Sequence, residues 1–429
     1  MRKLPAWGLA GVLLFGAGLW ALAADIEGWN AVWYIPAWYG YLLVLDALIF
    51  RLQGRSFLAG RRAELRRMLF WSVPFWFLFE AFNLRLQNWY YVFGLRTQWL
   101  SAIVSVLAFA TVLPVCLFHA ELVKALGWWR GARCRPLRVT GAVELFCAAI
   151  GVLSVAAPLL APRYAFGMVW GALLWLPEVI NRRAGAPSLL ADLEAGRCER
   201  LIHLLAGGLW AGAVWETFNF WARCKWIYTV PGFEHWKLFE MPLAGFLGFP
   251  ILALSAFAYF SSFRHLLRSG GRVLARSAAV AAALLFSAMT FHAMFERTVQ
   301  SRRPLLSDLD GMDSRSVAAL RAAGVPTPER LFRTVRREGL AEVAGRTGLA
   351  PAVVERAFRH AGLALHKGMG TRAAALLRRA GIATVADLAR ADPGLLFLRV
   401  RAVADEKPPR LAEVKVWVRA ARVRGETRR

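Results

Sequence analysis

Two Glu-x-Phe-Asn phrases hold the residues best suited to chemistry in this chain. Phe79 to Tyr91 reads FEAFNLRLQNWYY, and Trp215 to Tyr228 reads WETFNFWARCKWIY. Each sets a carboxylate three residues ahead of a carboxamide, Glu80 with Asn83 and Glu216 with Asn219, and that spacing puts the pair on one face of a helix. A carboxylate brings two acceptor oxygens and an amide brings a donor and an acceptor. The set could bind a polar group, relay a proton, or protonate an alkene or ether as a general acid. It could equally serve as a hydrogen-bonded clamp between helices. Arg223 lies seven residues past Glu216 on the same face, and Glu240 in FEMPLAGFLGFP has no acid counterpart in the first copy. The second copy therefore carries more charged machinery. Each phrase closes on Trp-x-Tyr, and Trp89, Tyr91, Trp226 and Tyr228 are expected to form an aromatic rim at the membrane interface.

Both phrases sit in apolar stretches long enough to cross a bilayer. With 58% hydrophobic residues, 19 Trp and 28 Phe, the chain is too apolar for a soluble two-domain protein. Runs of about 17 to 25 residues fall near 5–24, 31–50, 68–88, 99–120, 140–161, 164–180, 201–222, 239–262 and 277–296. Nine spans are expected, the first being a retained helix, although MRK and the Ala21-Leu22-Ala23 run before Asp25 imitate a signal peptide. With the N-terminus inside, inner loops hold 21 Lys and Arg and outer connections hold 6. That bias points to an inner (plasma) membrane protein with a cytoplasmic N-terminus. Both Glu-Asn pairs then lie in the outer half of the bilayer, where polar groups must face the bundle interior or water.

The repetition is wider than the phrases. YGYLLVLDALIFR (39–51) aligns with WGALLWLPEVINR (170–182), and GRSFL (54–58) with GAPSLL (185–190). Four spans followed by four more give both copies the same orientation, hence a parallel repeat about an axis along the membrane normal. The expected fold is an all-α polytopic transmembrane bundle, with one four-span repeat over 1–122, a second over 123–262, a ninth span and linker over 263–300, and a soluble domain over 301–429.

The Glu-x-Phe-Asn phrase, PSLL and EMPLAGFLGFP together resemble an uncharacterised family of multi-spanning bacterial membrane proteins across about residues 30–262. The chain departs from that pattern after Pro250, where Ala253 to Phe257 replace an expected acid and Cys. A looser similarity, tandem four-helix units with internal acids, is to membrane-bound carotenoid cyclases. The first resemblance implies no activity; the second implies an isoprenoid-like substrate.

Beyond Leu305 the composition turns to Ala, Arg, Leu and Gly. LDGMDSRSVAALRAAGVPTPERL (309–331) aligns with HKGMGTRAAALLRRAGIATVADL (366–388) without a gap. Gly324 and Gly381 suit the left-handed turn after a helix. Thr327 before Pro328, and Thr384 ahead of Asp387, read as helix N-caps, the latter a capping box. This segment resembles the tandem helix-hairpin-helix domain of unknown function found at bacterial protein C-termini. In DNA-binding relatives the hairpin presents backbone N–H groups to a phosphate, a role that implies Lys367, Gly368, Gly370, Thr371 and Arg372 here. Asp313 spoils the first copy. Residues 301–429 carry 26 Lys and Arg against 13 Asp and Glu, which suits nucleic acid, an acidic protein or anionic lipid. Nine crossings would put this domain outside, away from any chromosome. A re-entrant Ala-rich ninth segment, with His292 and Glu296, would leave it inside, so its side stays open.

Five Cys and seven His show no metal-ligand spacing, so neither a metal nor a cofactor is expected. The favoured function is a membrane-embedded binding or transport unit for a small or lipidic ligand, whose C-terminal domain engages a protein partner. Two alternatives stand beside it: an enzyme acting on an isoprenoid-like lipid, and a membrane anchor for a nucleic-acid-binding domain, the latter requiring a cytoplasmic tail.

Overall fold

The structure is a computed structural model that describes residues 3–24, 29–230, 236–268, 273–405 and 407–426. Arg2 and Arg272 of the loop-charge count, and Asp25 after the alanine run, lie outside the described residues. The chain is mostly helical and divides into two compact units. The first comprises Met1–Trp89, Gln98–Ala222 and Val230–Thr298; the second comprises Tyr90–Thr97, Arg223–Thr229 and Val299–Arg429.

The first unit holds α1 (Ala6–Ala23), α2 (Trp29–Val32), α3 (Tyr34–Gln53), α4 (Arg62–Leu86), α5 (Gln98–Phe109), α6 (Val112–Ala125), α7 (Gly141–Leu160), α8 (Pro162–Ala165), α9 (Trp175–Arg183), α10 (Leu189–Glu194), α11 (Glu199–Trp221), α12 (Gly248–Arg268) and α13 (Val273–Arg297). Among the described residues, 7 segments are long and apolar enough to cross a membrane. Two of the nine expected spans are missing from that set, for different reasons. α4 is a 25-residue helix whose first turns hold Arg62, Glu64, Arg66 and Arg67 and whose interior holds Glu80, Asn83 and Arg85, which dilutes its hydropathy. The sixth expected span is broken into α8, a 3-10 turn over Phe166–Gly171, and α9.

Helix contacts fall into matching sets. α1 packs on α3 and α7 on α9; α4 packs on α6 and α11 on α12; α3 meets α6 as α9 meets α12. α11 also packs on α6, and α13 on α4. Small residues permit the closest approaches, as between helices in lipid. A Cβ on Gly207 of α11 would stand 2.5 Å from the Ala120 amide nitrogen of α6.

The chain is not purely helical. Gln87 adopts a left-handed conformation (φ 55°) and caps α4, its N–H reaching the Asn83 carbonyl at 2.9 Å. The chain then runs on as β1 (Trp89–Val92), which pairs with β2 (Lys225–Tyr228). The two Trp-x-Tyr stretches, expected as a rim at helix ends, are thus the two strands of one small sheet. β3 (Lys237–Leu238) pairs antiparallel with β4 (Met241–Pro242).

The second unit adds α14 (Ser314–Ala322), α15 (Pro328–Glu338), α16 (Leu340–Thr347), α17 (Pro351–Ala364), α18 (Gly370–Arg379), α19 (Val385–Arg390), α20 (Pro393–Ala402) and α21 (Leu411–Glu426). Its caps follow from local chemistry. Asp313 accepts from Ser316 N–H at 2.8 Å, Thr327 from Arg330 at 3.1 Å, and Thr384 with Asp387 forms a reciprocal capping box. Gly324 and Gly381 have positive φ after their helices. One apolar core gathers Leu320, Leu331, Val343 and Ala357, and another gathers Ala374, Leu377, Leu396 and Trp417.

Candidate functional site

Glu80, Asn83, Glu216 and Asn219 are all fully buried. In the first copy the two polar residues do different work. Asn83 closes the turn after its own helix: its Oδ1 accepts from Asn88 N–H at 2.9 Å and Trp89 N–H at 3.3 Å, and its Nδ2 donates to the Trp89 carbonyl at 2.9 Å. Both ends of the Asn83 carboxamide are thereby partnered, which is what a buried amide requires. Glu80 faces rings instead. Its Oε1 accepts from the indole N–H of Trp76 at 3.0 Å and of Trp89 at 3.2 Å. Phe79 and Trp89 stack in turn on Trp170, with centroids 5.3 and 6.3 Å apart.

The aromatic shell reaches the other copy. Trp76 lies 5.5 Å from Trp215, the residue before Glu216, and Trp215 lies 5.9 Å from Trp38. Tyr34 hydrogen-bonds Trp215 and sits within the field of Glu216. One continuous belt of rings therefore runs between the two carboxylates. Glu240 is also buried in the first unit. Arg223, Tyr91, Trp226 and Tyr228 belong to the second unit, where the Trp226 indole donates to the Tyr228 hydroxyl at 2.7 Å.

Two carboxylates escaped the sequence reading. Asp46 in α3 accepts from Ser56 Oγ at 2.7 Å and from the Phe57 and Leu58 amides at 2.9 and 3.3 Å. Glu178 in α9 accepts from Ser188 Oγ at 2.8 Å and from the Leu189 and Leu190 amides at 2.6 and 3.1 Å. The acid stands ten residues before the Ser in both places, within the stretches already seen to align. Aligning those stretches residue by residue hides the match, because Asp46 falls opposite Pro177 and Glu178 one place later. Cys134 and Cys198, far apart in sequence, also meet side chain to side chain.

In the second unit the Gly368–Gly370 hairpin is a buried packing surface. Gly368 and Gly370 both have positive φ, and a Cβ on Gly368 would stand 2.4 Å from Val92 Cβ. A Cβ on Gly370 would stand 2.6 Å from Ser301 Cβ. Ser301 Oγ donates to the Gly368 carbonyl at 2.7 Å and accepts from Phe93 N–H at 2.9 Å. Val92 and Ser301 thus occupy the ground that a phosphate would need. Thr371 accepts at its carbonyl from His360 Nε2 at 3.2 Å, and Arg372 donates to the Lys407 carbonyl at 3.1 Å. Lys367 holds a left-handed backbone, φ 47°. Asp313, the residue that breaks the first hairpin's glycine pattern, is the N-cap of α14.

Among the described residues no group of three His, Cys, Asp or Glu could hold a metal ion. A family model described as Domain of unknown function (DUF4332) matches residues 310–424. Neither a curated protein nor a solved structure matches the chain.

Proposed function

We propose that the bundle is a membrane-embedded binding or transport unit for a small or lipidic ligand, with Glu80 and Glu216 as its polar centres. The observation that carries this reading is the buried Glu80 carboxylate held by two indole N–H groups inside a belt of rings that continues to Trp215 and Glu216. Indole donors can yield to a ligand hydroxyl or amine, and the ring faces suit a hydrocarbon body. Asn83 already closes the turn alone, so the clamp role falls to the Asn and leaves the Glu for another task.

Two parallel repeats are the architecture we favour for this unit. The matched Asp46–Ser56 and Glu178–Ser188 turns and the matched helix contacts support it. α4, α11 and α13 each run directly into a segment of the second unit. Those three helix ends therefore leave the bilayer on one side, the side opposite the Lys and Arg excess, in an inner membrane with a cytoplasmic N-terminus. The C-terminal domain is then extracytoplasmic and suited to a protein partner. An anchor for nucleic acid would need the opposite side and an open Gly368 hairpin. A general-acid enzyme would use the same Glu and would alter the cell's lipid or pigment profile on deletion.

The test is ligand content after purification. Glu80→Gln and Glu216→Gln are expected to lose co-purifying lipid or solute while the melting midpoint in detergent stays within about 1 °C of wild type, a shift of no more than about 1 kcal/mol. Unchanged ligand content with a lowered midpoint would make the Glu residues clamps as well.

A further inference from the structure

The first unit contains a cavity of about 440 Å³ at the start of α4 and α11 and the end of α6 and α12. It is distinct from the Glu80 region. Glu64 on its wall and Glu80 are sixteen residues apart on α4, roughly 24 Å along the axis. We propose that this cavity binds the phosphate-bearing headgroup of an anionic phospholipid.

Charge is the first argument. Six Lys or Arg and four Asp or Glu line the cavity. The acids are already engaged. Glu64 pairs with Arg264 at 3.1 Å, and Asp192 takes Arg197 and Arg200, each at 2.8 Å. Glu121 faces Arg61 at 3.7 Å and Lys124 at 3.8 Å, and Glu199 accepts from Gly131 N–H at 3.1 Å. Two acids thus each serve two cations. Arg133, exposed on the rim, has no acid within ion-pairing distance among the described residues. Positive charge is left over where a phosphate could take it, with guanidinium forks that match its oxygens.

The second argument is a hydroxyl on the wall. Ser261 is 2% exposed and lines the cavity. Its hydroxyl can donate to a phosphate oxygen bound there. Polarity along the wall is the third argument. Met68, Leu204, Phe257 and Phe260 form an apolar side facing the bundle, while the Arg side lies at helix ends and loops. A headgroup with its acyl chain matches that gradient. Basic pockets between helices on the positively charged side of a bundle are suited to such headgroups.

Native mass spectrometry of the full chain, released from nanodiscs made with equal phosphatidylglycerol and phosphatidylcholine, tests the proposal. We expect at least a fivefold preference for retained phosphatidylglycerol, falling to parity in the Arg133→Gln/Ser261→Ala double variant. Both substitutions trim a side chain at the cavity surface without adding bulk; a melting midpoint equal to wild type in phosphatidylcholine alone confirms that the variant folds. Glu80→Gln should keep the preference, so this proposal and the Glu80 reading fail separately. Parity in wild type, or an undiminished preference in the folded double variant, overturns it. So does glycerol phosphate or inorganic phosphate in detergent stabilising the protein as much as phosphatidylglycerol, which would mark a site for a soluble anion.

Discussion

At the scale of single residues, Asn83 and Glu80 make opposite predictions although they stand one turn apart. Asn83→Leu removes the acceptor for two buried amides and the donor to a buried carbonyl, so it should destabilise the bundle by about 2–4 kcal/mol. Glu80→Gln keeps an oxygen for the Trp76 and Trp89 indoles and should cost far less. Unfolding midpoints in a denaturing-detergent titration separate the two, and equal losses would erase the division of labour. Asp46→Ala and Glu178→Ala should each cost about 2–4 kcal/mol by the same logic, since each strands a hydroxyl and two amides. The Glu-Asn phrases were legible in the sequence because Glu, Phe and Asn recur at the same spacing ahead of a Trp-x-Tyr. The Asp46 and Glu178 turns were not, because acid and serine are displaced together by one place in the second copy, and a residue-by-residue alignment sets Asp46 against Pro177. Nor could Trp76 be picked out among so many tryptophans, since only the fold turns its N–H toward Glu80.

At the scale of elements, periodicity and capping chemistry served well where the helix is regular and failed where it breaks. Thr327, Thr384, Gly324 and Gly381 hold the positions their local chemistry demands. The 164–180 run is apolar enough to look like a span, yet Pro162, Gly167 and Gly171 accompany a short 3-10 segment, and composition does not record backbone geometry. The strands β1 and β2 were hidden because four aromatic-rich residues after a helix read equally as an interface anchor. Packing between α6 and α11 gives an element-scale test. Gly207→Ala would drive a methyl into the Ala120 backbone, so about 1–3 kcal/mol of stability should be lost. In the second unit His360 ties α17 to the segment before α14 and to α18. Its Nδ1 accepts from Asp310 N–H at 3.1 Å and its Nε2 donates to Thr371, an arrangement that needs the neutral ring. Burial lowers its pKa below the usual histidine value of 6.5. An unfolded chain then binds the proton first, so this contribution is present above about pH 6.5 and is lost as pH falls. Glu413 works in the other direction: burial raises its pKa in spite of Arg410, so its contribution is fullest at low pH and fades as pH rises. Hydrogen exchange of the C-terminal domain in the intact protein should show weaker protection at pH 5.5 than at pH 7.5. In His360→Gln that slope should flatten or reverse, leaving Glu413 in command; an unchanged slope would remove His360 as the cause.

At the scale of the whole molecule, charge and connectivity have to agree on which way the chain faces. The loop-charge count was available from the sequence, but it left the C-terminal domain undecided because the crossing number rested on a ninth, Ala-rich helix. α13 is a 25-residue helix over Val273–Arg297, long enough to cross. More telling is that the C-terminal domain shares its unit with Tyr90–Thr97 and Arg223–Thr229, segments fed by α4 and α11. On the proposed reading, in which the bundle spans a bilayer, all three helices must deliver those segments to the same side of it. This couples two measurements that would otherwise be independent. A periplasm-active phosphatase fused after Arg429 should be active, and the same reporter inserted in the loop between α6 and α7 should be silent. Val92→Asp, which buries a charge against Gly368, should loosen the β1 segment from the domain and raise protease sensitivity there without moving either reporter. A silent C-terminal fusion would reverse the orientation of the entire bundle, because the loops after α4 and α11 would have to move with it.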